Sequence, residues 1–147
     1  MSRRRLVVAL LAVPYACGVV LLLLWPQGEQ VRRIQLDIYL YGLNHLGVPP
    51  NFGPDDYSAV ANGLLFAPLT LMAIVLFGGR RWLTVLVLGC LGGFLAEYLQ
   101  ATLGLARVAE LSDALLNAAG AALGAGLGVF VDQRLRRAGS PRGDAAA

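Results

Sequence analysis

The sequence predicts an all-α integral membrane protein: a bundle of four transmembrane helices, N- and C-termini cytoplasmic, with an amphipathic helix on the outer surface. Three observations carry that expectation. The 147 residues are 57% hydrophobic and 14% charged, with a mean hydropathy of +0.64, whereas a soluble domain carries about a quarter charged residues. Four apolar runs each approach the roughly 20 residues that cross a hydrocarbon core of about 30 Å. The basic residues flank those runs instead of gathering on one face.

All 12 basic residues are arginine. Without lysine there is no Walker-type phosphate loop and no Schiff-base chemistry. The net charge of +3 does not imply nucleic acid, because the arginines stand at the ends of apolar runs. Cys17 and Cys90 lie in mid-run, with no CxxC, and read as small apolar core residues. With one histidine and this cysteine spacing, neither a metal site nor any other cofactor is expected.

The first run, 6–25, follows Ser-Arg-Arg-Arg and ends at Trp25-Pro26. It is longer than the apolar region of a signal peptide and lacks a small-residue cleavage site, so it is expected to be an uncleaved anchor. Cys17 does not sit as a lipoprotein cysteine, since Pro14-Tyr15-Ala16 precedes it and apolar residues or glycine follow. Spans at about 59–77, 82–103 and 112–131 complete the set, with Trp25 and Trp82 at run ends, where indoles favour the interface.

Between the first two spans, "EQVRRIQLDIYLYGLNHLG" places Val31, Ile34, Ile38 and Tyr41 at helical spacing. The segment is too short and too charged to span, and fits a helix lying on the outer surface. Its His45 reads as a solvated side chain. "PPNFGPDDYS" reads as an irregular loop. The membrane bundle is expected over 1–137, with a disordered cytoplasmic tail over 138–147, where the Arg-Gly-Asp triplet has no assigned role.

Arginine placement orients the bundle. Arg3, Arg4, Arg5, Arg80, Arg81, Arg134, Arg136, Arg137 and Arg142 fall on one side, and Arg32, Arg33 and Arg107 on the other. The positive-inside rule then puts both termini in the cytoplasm.

Polar residues converge at the opposite end. Counting helical rise from the inner arginines, Glu97 lies about 24 Å up, Asn62 about 27 Å and Asp113 about 31 Å. Arg107, between the third and fourth spans, is within reach. At 100° per residue, Gly89, Gly93, Ala96, Glu97 and Gln100 share one face of the third span. Asp113, Asn117, Gly120, Gly124 and Gly128 share one face of the fourth. Small residues let helices approach closely, so these two faces are expected to pack together and turn both carboxylates inward. An ionised carboxylate at mid-membrane costs about 2.5–3.5 kcal/mol; pairing with Arg107, or protonation, offsets this. Three roles fit: an ion-pair clamp, a cluster that binds a substrate or head group, or a proton or ion pathway. The last is weakened because the inner half of these spans holds no acid before Asp132.

These residues resemble the VanZ-like family. "NGLLFAPL" at 62–69, "EYLQ" at 97–100 and "RVAELSDALLNAAGAALG" at 107–124 carry the resemblance over about 58–130. The order and spacing together are specific, and Thr70 departs from the glycine usual there. Segment 26–58 is less typical. The family is named for an accessory membrane protein linked to resistance to teicoplanin-type glycopeptides, and it brings no accepted catalytic mechanism. Carried onto this chain, its characteristic positions are Asn62, Phe66, Pro68, Glu97, Gln100, Arg107, Asp113, Asn117, Gly120 and Gly124. The resulting expectation is a cell-envelope accessory protein in contact with membrane lipids. It would bind or modulate a lipid-linked or glycopeptide-type surface ligand through Asn62, Glu97, Gln100, Arg107, Asp113 and Asn117. Phe66, Pro68, Gly89, Gly93, Gly120, Gly124 and Gly128 would serve packing. An enzyme acting on a lipid head group, with Glu97 or Asp113 as acid or base, is the alternative from another class, and a structural subunit is a third.

Overall fold

The computed structural model describes residues 3–49, 51–103 and 111–139, and their regular structure is entirely helical. The helices are α1 (Arg3–Leu23), α2 (Gly28–His45), α3 (Pro54–Phe77), α4 (Trp82–Thr102) and α5 (Leu111–Gly139), with a 3-10 turn at Gly79–Arg81 leading into α4. Four of them, α1, α3, α4 and α5, are long and apolar enough to cross a membrane. In hydrocarbon a helix is the element that satisfies every backbone group within one segment, so apolar runs of this length fold this way.

Two boundaries differ from the sequence expectation. α3 begins at Pro54, so half of the expected loop is helix. Proline suits the first helical position because its missing N–H has no intrahelical role there. Asp56 then accepts the Gly53 N–H at 2.9 Å, which ties down the start of the helix. α5 runs past residue 131 for 29 residues in all, about 44 Å, and carries Arg134, Arg136 and Arg137 exposed on its last turns. It takes in the first two residues of the expected tail; 140–147 lie outside the described residues.

The bundle is organised around α3 and α5, which run parallel and pack together along most of their length. The expected packing of the third span on the fourth is present, but the glycines of the fourth span lie on α3 and not on α4. A Cβ at Gly120 would collide with the Gly63 carbonyl, and one at Gly124 with the Ala67 carbonyl and the Thr70 hydroxyl. At Gly128 a Cβ would come within 2.9 Å of the Ile74 Cβ. The glycine stripe of α5 is therefore seated on α3, whose Gly63, Ala67 and Thr70 form a matching small face. α4 meets α5 along a neighbouring line. A Cβ at Gly89 would lie 3.0 Å from the Ala121 Cβ, and one at Gly93 2.8 Å from the Asn117 Cβ. Helical angle finds a small face on one helix; which neighbour occupies it depends on where the other small faces lie.

Phe66 sits in the core with Val19, Leu23, Ala96 and Ala121, and Ile74, Val85 and Ala125 form a second cluster. Pro68 is half-buried within α3. α1 touches the bundle through one face, which leaves Cys17 exposed on the other. The expectation that Cys17 is a core residue is thus corrected, and Cys90 is half-buried.

α2 lies against the start of α3 by an unexpected stripe. Val31 and Tyr39 are buried, with Tyr39 against Tyr57 at 6.1 Å between ring centroids, while Ile34, Ile38 and Tyr41 are exposed. Apart from Val31, the apolar face predicted from the sequence therefore points away from the protein. His45 is exposed and its ring stacks on Tyr41.

At the arginine end, Asp132 holds the α3–α4 turn. It accepts the Gly79 N–H at 2.9 Å and pairs with the Arg136 Nε at 2.7 Å. Arg5 at the start of α1 is near enough to act on the same carboxylate electrostatically. The start of α1, the α3–α4 turn and the end of α5 thus share one end of the bundle. Gly78 has φ +94°, which glycine adopts without steric cost.

Candidate functional site

Away from the arginine end, α3, α4 and α5 bring buried polar side chains together. Asn62 on α3, Glu97 and Gln100 on α4 and Asn117 on α5 are all buried, Asn117 completely, at 0% exposure. A cluster of this kind in the apolar part of a bundle costs desolvation, so what satisfies each group matters.

Gln100 is satisfied by structure. Its Nε2 donates to the Leu23 carbonyl at 2.9 Å. Leu23 is the last residue of α1, where the final carbonyls lack intrahelical donors. Gln100 thus pins the end of α1 to α4. Asn62 is satisfied from α2: the Gln35 Nε2 donates to its Oδ1 at 3.4 Å, and the Gln35 Oε1 accepts from the Ser58 hydroxyl at 2.8 Å. Gln35 was not anticipated from the sequence. The available signal was its place at i+4 from Val31 and i−4 from Tyr39, on the stripe that turns out to face α3.

Asn117 differs. Among the described residues, neither its Oδ1 nor its Nδ2 has a hydrogen-bond partner, although the side chain is sealed against the Gly93 backbone on α4. Leaving a buried donor or acceptor unsatisfied costs about 1–3 kcal/mol, and such a group in a native fold calls for an explanation.

The register of α4 on α5 locates the carboxylates. Gly89 faces Ala121 and Gly93 faces Asn117 in an antiparallel pair. Four residues further along α4 is Glu97, and four residues back along α5 is Asp113. The two acids are therefore level with each other, one turn beyond Asn117. Asp113 is half-buried in the first turn of α5, where the helix dipole favours negative charge. Arg107 lies outside the described residues, so its expected place between the two acids has no structural description.

Near this end of the bundle, α2 and the start of α3 enclose a pocket of about 210 Å³, whose lining includes Arg32, Gln35, Asp55 and Ser58. Glu29 and Arg33 line it too, and the hydrogen bond and charge of Arg32, with the charge of Arg33, hold the exposed Glu29 carboxyl below its usual range. Gln35 lines this pocket and bonds Asn62, so it links the surface pocket to the buried cluster.

Amide donors and acceptors with carboxylates make a set suited to hydrogen-bonded recognition of a polar group. The exposed His45 and Cys17 do not join it.

No curated protein and no solved structure is similar enough to the chain to count as a match. The sequence model of the VanZ/LLP1 family does match, over residues 12–132. The matched stretch runs beyond 58–130 to take in α2 and about half of α1. It also contains every buried member of the polar cluster and both small faces of the α3–α5 interface. Over most of its length, therefore, this four-span chain belongs to the VanZ/LLP1 family.

Proposed function

We propose that this protein is a cell-envelope accessory membrane protein that binds a lipid-linked or surface ligand through Asn62, Glu97, Asp113 and Asn117. Gln100, bonded to the end of α1, holds the wall of this cluster, and Arg107, which lies outside the described residues, is proposed to contribute to it by its place in the sequence. In the VanZ-like manner, such binding lowers the sensitivity of the envelope to teicoplanin-type glycopeptides. Both termini face the cytoplasm, by the bias of the arginines, and the cluster faces the outer leaflet.

The observation that carries this reading is Asn117: a fully buried amide with donor and acceptor both unused, one turn from two level carboxylates. Ionisable residues within membrane segments mark functional sites by default. A purely structural cluster has no use for an amide whose bonding capacity is spent on nothing.

The test is thermal unfolding of the detergent-solubilised protein against a panel of polyisoprenyl-linked envelope precursors and a teicoplanin-type glycopeptide. A ligand at 100 times its Kd stabilises by about 2.7 kcal/mol, which shifts the midpoint by several degrees. Asn117→Ala should abolish the shift. A shift of equal size in that variant contradicts this site assignment, and turnover of the stabilising compound would make the protein an enzyme.

A further inference from the structure

A second site lies on the other side of α3. Next to the line where α1 meets α3, two apolar hollows of about 600 and 350 Å³ open between α1 and α4. Both are bordered by Leu69, Thr70, Leu88 and Gly89, so they form one continuous groove floored by α3. Thr70 does not make the floor polar. Its hydroxyl donates to the Ala121 carbonyl at 2.9 Å, and its methyl faces Gly89, where a Cβ would approach it to 2.8 Å. Gly89 and Gly92 keep the α4 wall low; the nearest atom to a Cβ at Gly92 is Phe66 Cε1, at 3.8 Å.

The groove has one charged border, Arg81, at one end. Arg81 makes no ion pair among the described residues. That end of the bundle also gathers the arginines at 3–5, Arg80, Arg134, Arg136 and Arg137, while Asp132 is engaged by Arg136 and the Gly79 N–H. From Arg81 to Gly89 the α4 wall rises about 12 Å, within the roughly 15 Å of hydrocarbon in one leaflet. Basic pockets between transmembrane helices recognise anionic head groups.

We propose that this groove is a resident site for one anionic phospholipid of the arginine-side leaflet. An acyl chain lies over Thr70 and Gly89, and the phosphate pairs with the Arg81 guanidinium. The site is separate from the polar cluster and independent of its proposed role.

The test uses the full chain in nanodiscs of equimolar phosphatidylglycerol and phosphatidylcholine, released into native mass spectrometry. The native chain should retain one phosphatidylglycerol, preferred over phosphatidylcholine by roughly fivefold, the effect of one arginine at an anionic surface. Arg81→Gln should bring that preference near parity. Ala16→Phe, or the milder Ala12→Leu, should fill the groove and remove the retained lipid. Gly126→Leu adds bulk where a Cβ meets nothing within 4 Å and should leave retention intact. Equal retention of both lipids by the native chain, or undiminished retention in both groove-filling variants, would overturn the proposal. So would displacement of phosphatidylglycerol by an equal amount of a polyisoprenyl phosphate.

Discussion

The hydroxyl of Thr70 on α3 donates to the backbone carbonyl of Ala121 on α5 at 2.9 Å, beside the point where Gly124 rests on the Ala67 carbonyl. Interhelical hydrogen bonds inside membranes average about 0.6 kcal/mol, so this contact secures an interface that depends mainly on close approach. Thr70→Val should lower stability in detergent by about that amount. Gly124→Leu should cost at least the 1–3 kcal/mol typical of overpacking, because the added atoms meet backbone. Leu127→Ala, at an exposed position, should stay within about 0.5 kcal/mol of the native chain. Thermal unfolding of the three variants checks the order; equal midpoints for Gly124→Leu and Leu127→Ala would remove the glycine face as an interface.

The Asp132 clamp is the second expectation. Its carboxylate takes both the Gly79 N–H and the Arg136 guanidinium, and hydrogen bonds to a charged group contribute about 1.5–3 kcal/mol. Asp132→Leu should lose stability in that range, while Arg134→Gln, outside the clamp, should lose little. Comparable midpoints for the two would show that the turn is held by something else.

Gln35 supports both Ser58 and Asn62. Gln35→Leu should loosen α2 from α3, and hydrogen exchange in α2 should accelerate while α4 and α5 remain protected. Unchanged exchange would mean that Tyr39 on Tyr57 suffices to dock the helix.

Much of this architecture was legible in the sequence, and for one reason. Hydrocarbon leaves the backbone a single choice, so run length alone located α1, α3, α4 and α5. The buried positions of Glu97, Gln100 and Asn117 followed from helical angle on α4 and α5. What stayed hidden depended on partners. The glycine stripe of α5 could be seen, but not that Gly63 and Ala67 of α3 would receive it in place of α4. Thr70 read only as a departure from glycine, since a bond to Ala121 spans 51 residues of chain. The docking stripe of α2 was missed because Gln35 broke the apolar pattern at the position where it faces Asn62.

The proposed orientation rests on the placement of the arginines. A reporter active only outside the cytoplasm should be silent when fused after Arg137 and active when inserted near Pro54. Activity at the C-terminal fusion would reverse the proposed topology and place the polar cluster toward the cytoplasm.

The most direct test of the account is a paired measurement on Asn117. Removing a buried amide that bonds nothing relieves a penalty of about 1–3 kcal/mol. Asn117→Leu, which keeps the branched shape, and Asn117→Ala, which relieves any crowding against Gly93, should therefore give at least one variant as stable as the native chain. That variant, expressed in the membrane at native level, should lose tolerance to a teicoplanin-type glycopeptide. A stable variant that keeps full tolerance, or variants that lose stability and tolerance in proportion, would contradict the claim that this cluster is a binding site.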